Sequence, residues 1–298
     1  MFSVLVAPWV LATLPAALAQ TARFALQKRL KSSGLSVGGA TFSRFLFAVP
    51  IAWALTAILA TNALPALSPR FWMFACVGGV AQIAATMATV ALFSERHFAV
   101  GVAFTKTETL MVAGFSALFL GETVSKGALI AICVGVLGVL LISLKPGARL
   151  AFSTRACLLG LTAGALFALA AIGYRGATTS LGEAPALLRA SYTLACVTTV
   201  QTVLMIPFLR LTDPGEVSRV VGRWRETVFV GVLGMIGSYF WFLAFSLQNA
   251  AHVRAFGQLE LLFSLLLGWV MFRETSTRRE YLGMALLLAS ILGILYLA

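Results

Sequence analysis

Residues 104–123 read FTKTETLMVAGFSALFLGET, and residues 256–275 read FGQLELLFSLLLGWVMFRET. Each is an apolar stretch with a glutamate well inside it, Glu108 in the first and Glu260 in the second. A shift of 152 residues superposes Ala103, Phe104, Glu108, Leu110, Glu122 and Thr123 on Ala255, Phe256, Glu260, Leu262, Glu274 and Thr275. An ionised carboxylate at bilayer mid-depth costs roughly 2.5–3.5 kcal/mol even on lenient insertion scales. A repeated acid at matching depth therefore points to use.

The surrounding chain reads as membrane. Of 298 residues, 60% are apolar and only 11% charged, against roughly 25% charged in soluble domains. Ten apolar stretches recur, at roughly 4–26, 39–60, 71–93, 98–120, 126–144, 156–178, 188–209, 227–248, 252–272 and 280–297. Each is long enough to cross a hydrocarbon layer of about 30 Å. The longest connection, Leu211 to Arg225, is too short to fold alone. The class is an all-α polytopic membrane protein. The opening stretch has Ala17-Leu18-Ala19 as a possible signal-cleavage site, but it lacks a basic leader and aligns with the sixth stretch, Arg23 on Arg175. It reads as a first membrane helix.

The net charge of +12 is a topology signal and does not call for nucleic acid. Loops 1–2, 3–4, 5–6, 7–8 and 9–10 carry clusters such as Lys28, Arg29 and Lys31, or Arg219, Arg223 and Arg225, whereas the opposite loops hold only Arg70 and Lys126. The positive-inside rule puts both termini outside a cell inner (plasma) membrane. Cys76, Cys133, Cys157 and Cys196 all lie in apolar stretches without metal-ligand spacing. His97 and His252 are too few for a metal site, and no phosphate-cradling glycine loop appears. Nothing calls for a cofactor, a metal or hydrolytic chemistry.

The same shift pairs Trp72 with Trp224, Gly79 with Gly231 and Phe93 with Phe245. The chain is thus a tandem duplication with halves 1–150 and 151–298. With five helices per unit, the second copy enters from the opposite side, so the expected architecture is ten transmembrane helices as two inverted five-helix repeats. Such repeats recur in transporters that bind substrate at the midplane.

Two motifs support a family reading. The Arg-Phe-Leu-Phe-Ala run from Arg44 to Ala48, and the Gly121-Glu122-Thr123 turn leading into LIAICVGVLGVLLI, resemble the duplicated EamA domain. The pattern is similar to that of the drug/metabolite transporter superfamily, which implies a ten-helix secondary transporter, frequently an exporter. The second copy of the turn reads Arg273-Glu274. The resemblance implies cytoplasmic termini, against the loop charge, and the loop charge is followed here.

Candidate substrate- and proton-binding residues follow from polarity inside apolar stretches. Glu108 and Glu260 are expected to line a central cavity as protonatable groups, since desolvation favours a neutral carboxylic acid. The alternative is a permanent structural pair with Lys106 or Arg23. Lys106 aligns with Gln258, and could meet a substrate carboxylate or a glutamate on another helix. Placed near Glu108 only, it would make Glu260 the carrier. Arg23 and Arg175, about three residues inside their helix ends, either snorkel to the headgroups or bind an anion. Gln20, Gln82, Tyr174, Tyr239 and Trp241 complete the candidates. Gly231, Gly234 and Gly237, with Gly160 and Gly164, permit close helix approach.

The expected function is proton-coupled secondary export of a small metabolite or amphipathic compound such as an amino acid. A passive facilitator or membrane scaffold is the alternative, and an intramembrane lipid-modifying enzyme a further one. The implied partners are the solute, the bilayer and protons, with a monomer or a homodimer both fitting.

Overall fold

The computed structural model describes residues 7–32, 34–92, 105–143, 154–263 and 278–297. These are mainly helical, with no strand among the described residues. The helices are α1 (Pro8–Ser32), α2 (Val37–Leu59, with a turn at Phe47), α3 (Pro69–Leu92), α4 (Glu108–Leu120), α5 (Lys126–Ser143), α6 (Thr154–Thr179), α7 (Ala186–Thr212), α8 (Glu216–Gly222), α9 (Trp224–Leu247), α10 (Ala250–Phe256) and α11 (Arg278–Leu297). Six of them are long and apolar enough to cross a membrane, and α4 and α5 are shorter apolar helices. Their outer faces present Ile58, Leu118, Leu137, Leu158 and Phe229 uncovered, as lipid-facing surfaces require. The residues of the Arg273-Glu274 turn, and His97, lie outside the described ones.

Helices pack across the two halves of the chain, each chiefly with a partner from the other half: α1 with α9, α2 with α7, α3 with α6 and α5 with α11, while α4 packs first on α6 and then on α10. Small residues make these contacts close. A Cβ on Gly173 of α6 would lie 2.6 Å from Gly78 Cα of α3, and one on Gly138 of α5 would lie 2.7 Å from Gly283 O of α11. The glycines singled out on α9 do similar work. A Cβ on Gly231 would meet Phe47 Cβ at 2.4 Å, and one on Gly237 would meet Ala19 Cβ at 3.4 Å.

The connection from Leu211 to Arg225, too short to fold alone, contains α8 and packs against the start of α2. Its Glu216 is fully buried and accepts from the Ser36 backbone N–H at 2.7 Å. Ser36 in turn caps α2 by accepting from Gly39 N at 3.0 Å. A Cβ on Gly39 would sit 1.9 Å from Glu216 Oε1, so any larger residue there must displace the Glu216 side chain. A short polar loop is thereby tied to the start of α2.

Candidate functional site

The helices that carry the two glutamates are both interrupted at matching positions. Turn geometry occupies Lys106 and Thr107 ahead of Glu108, and Gly257 and Gln258 ahead of Glu260. The backbone tightens there to i→i−3 bonds: Leu110 N donates to Thr107 O at 3.1 Å, and Glu260 N to Gly257 O at 3.1 Å. Continuous helices were expected through both acids. The break follows from glycine's poor helix propensity at Gly257 and from the threonines flanking Lys106, whose hydroxyls compete for backbone partners. A short tightened stretch inside a membrane helix is a common hinge or ion-site device.

The charges at these breaks pair crosswise. Lys106 forms an ion pair with Glu260, and Arg254 with Glu108. Each bridge joins one half of the chain to the other. Of the readings open for Lys106, it takes the one of meeting a glutamate on another helix, and the expectation that its charge favours Glu108 alone fails. Its position two residues away turns it aside, and α10 lies opposite. Both acids have a cation, so the argument that singled out Glu260 by an unshared charge fails. Gln20 of α1 donates to Glu260 Oε2 at 2.7 Å and accepts from Trp241 Nε1 at 3.1 Å. The Arg254 guanidinium lies over the Trp241 ring, 4.6 Å from its centroid. Gln258 donates to the Thr109 hydroxyl, again across the halves. Lys106, Glu108, Thr109, Arg254, Gln258 and Glu260 enclose a void of about 20 Å³, room for about one water.

A second polar cluster adjoins the first. Tyr174 donates to Gln82 Oε1 at 2.7 Å, and Gln201, which sequence reading missed, donates to the same oxygen at 3.0 Å. The Tyr174 ring stacks on Phe242 at 4.2 Å. Gln20, Gln82, Tyr174, Ser238, Trp241 and Arg254 share the walls of a further void of about 30 Å³. Tyr239, by contrast, packs edge-on against Phe240 and lines neither void.

Arg175 neither snorkels nor reaches the centre. Its Nε meets Glu122 Oε1 at 2.8 Å, and its Nη1 donates to Phe245 O at 2.6 Å. Glu122 is placed by the end of α4, where Gly121 takes φ 68° and the Glu122 N–H donates to Ser116 O at 3.2 Å. A left-handed residue at that position suits glycine. This bridge links the end of α4 to α6 and α9. Arg23 also departs from expectation: α1 runs on to Ser32, and Arg23 is 2% exposed inside the bundle. Snorkelling is excluded for it.

Of the eleven candidates, six meet around the crossed ion pairs, namely Glu108, Glu260, Lys106, Gln258, Gln20 and Trp241; Gln82 and Tyr174 adjoin them. Arg254 and Glu122 were missed as site residues. Arg254 read as one more cation near a helix start, and only its place opposite Glu108 marks it. Among the described residues no three His, Cys, Asp or Glu side chains converge as a metal would need.

Long apolar helices, and two with turns beside a glutamate, meeting at paired buried charges define a polytopic membrane protein of transporter-like fold. The EamA-like transporter family matches residues 7–144 and again 154–296, and the chain belongs to that family, within the drug/metabolite transporter superfamily. No curated protein matches the sequence. A solved crystal structure of another protein shares the fold at 16% identity, with a TM-score of 0.69 over 96% of this chain and 95% of that one.

Proposed function

We propose that the chain is a proton-coupled secondary transporter, built as two inverted five-helix repeats (1–150 and 151–298), that exports a small amphipathic metabolite such as an amino acid across the inner (plasma) membrane by alternating access. The observation that carries the reading is the crossed pair of bridges, Lys106–Glu260 and Arg254–Glu108, at two matched helix breaks. The reciprocal packing of α1 on α9 and α3 on α6 supports the repeat, since an in-plane two-fold exchanges those two contacts.

The bridges supply a way to couple a proton to opening. Each one ties the halves together through a carboxylate. A proton on that carboxylate removes its charge and releases its cation, so the contact between halves weakens. A guanidinium is shaped to grip a carboxylate through paired N–H groups, whereas an ammonium meets it as a point charge. The Lys106–Glu260 bridge is therefore the one a proton dissolves more readily. Glu260 is the proposed proton carrier on this ground. Arg175–Glu122 on one face, and Glu216 at Ser36 towards the other, join the halves near the two exits and fit the part of gates.

The test uses purified protein in liposomes loaded with a pH-sensitive dye, challenged with a mixture of amino acids. Gln is nearly isosteric with Glu but cannot titrate. Glu260→Gln should lower solute-driven proton movement at least tenfold while labelled-solute counterflow persists, and Glu108→Gln should have the smaller effect. Normal proton movement in both variants would make the acids structural.

Orientation is tested separately. Reporter fusions after residue 298 should behave as external, because the cationic loops then lie in the cytoplasm. A cytoplasmic C-terminus overturns this and shows that loop charge is a poor guide for this fold.

A further inference from the structure

Lys106 and Arg254 each have a carboxylate, but two deeper cations do not. Arg23 and Arg44 are 2% and 4% exposed, and neither forms an ion pair among the described residues. Arg23 donates to Gln27 and lies 4.2 Å from the Phe24 ring centroid, while its Nη2 has no partner. Arg44 donates to the hydroxyls of Thr86 and Ser238, each at 3.1 Å, while its Nε has none. The two stems converge over Gly234, where a Cβ would stand 2.9 Å from Arg44 Cγ and 3.4 Å from Arg23 Cδ. Two like charges are thus brought together roughly 10 Å along α2 from its start. Hydroxyl and amide oxygens satisfy N–H groups but leave the charge uncompensated, which is costly in a low-dielectric interior.

We propose that Arg23 and Arg44 form an anion subsite that binds the carboxylate or phosphate group of the transported solute. This rests on the transporter reading above and names its substrate class. A guanidinium matches either group through paired N–H bonds, and the unpartnered Nη2 and Nε are the donors left over for it. Ser238, which holds Arg44, also lines the void beside Gln82, Tyr174 and Arg254, so the subsite adjoins the polar centre through that hydroxyl. A solute that brings its own negative charge completes the pairing that the fold leaves undone. A solute without one gains nothing there, so the subsite selects for the anion.

The experiment measures thermal unfolding of the full-length protein in detergent, titrated at constant ionic strength with sodium benzoate, inorganic phosphate or neutral benzamide. A parallel arm adds phosphatidylglycerol. A ligand that binds only the folded form raises the unfolding temperature. Benzoate or phosphate should protect and benzamide should not. Arg23→Gln and Arg44→Gln should raise the half-maximal anion concentration at least tenfold. Arg44→Lys, which keeps the charge and loses the fork, should fall between. The surface variant Arg225→Gln should match the wild type. If an arginine variant fails to fold, Ser238→Ala, which removes a hydroxyl that orients Arg44, must still weaken anion protection. Absence of protection by either soluble anion overturns the proposal, as does equal protection in every variant. Protection by phosphatidylglycerol alone assigns the site to a lipid headgroup and overturns it too. Anion protection without transport leaves the subsite standing and removes the transporter reading. Proton-coupled transport of neutral solutes without anion protection does the reverse.

Discussion

Arg254→Ala should destabilise the protein by about 3–5 kcal/mol, because it strands Glu108 as a buried charge. Glu108 is 8% exposed, and Arg254 is its ion-pair partner on α10. The substitution also removes the guanidinium from the face of Trp241, a contact worth about 1 kcal/mol or somewhat more when desolvated. The sign of the larger effect can be checked in the same chain. Adding Glu108→Gln to Arg254→Ala removes the stranded charge, so the double variant should recover most of the loss. The quantity to measure is the coupling energy from reversible unfolding of the two single variants and the double. A coupling near zero would mean that the bridge contributes nothing to joining the halves, and the proposed proton-driven opening would lose its basis.

Gly173→Ala should cost about 1–3 kcal/mol although it adds a single methyl group. The new Cβ would lie 2.6 Å from Gly78 Cα, 2.7 Å from Phe74 O and 2.8 Å from Gly78 N. All three are backbone atoms of α3, so no side-chain rotation relieves the overlap, and α3 and α6 must separate. Gly114→Ala is the internal comparison. Nothing lies within 4 Å of a Cβ there, and alanine favours helix over glycine by about 0.8–1 kcal/mol. Unfolding of both variants should therefore move in opposite directions. Equal stability of Gly173→Ala and wild type would show that α3 and α6 do not approach so closely.

The sequence by itself determined the membrane class, the duplication, the family and the two acids. The reason is that hydrocarbon penalises charge so strongly that Glu108 and Glu260 stand out in apolar runs without any knowledge of what surrounds them. Glycines spaced along α9 were legible as packing positions for the same local reason. Pairing is a different matter. Lys106 lies two residues from Glu108 yet bonds Glu260, 154 positions away. Arg254 carried no local mark, and Glu122 was marked only as part of a repeated turn, since their partners Glu108 and Arg175 come from the other half. Arg23 looked like an interfacial cation because its depth depends on where α1 ends, and a helix boundary is set by the neighbours that cover it. Which cation neutralises which acid, and which arginines are left with none, depends on which helices lie side by side. Only the tertiary structure decides that, because Coulomb energy in a low dielectric depends on separation in space and is indifferent to separation along the chain.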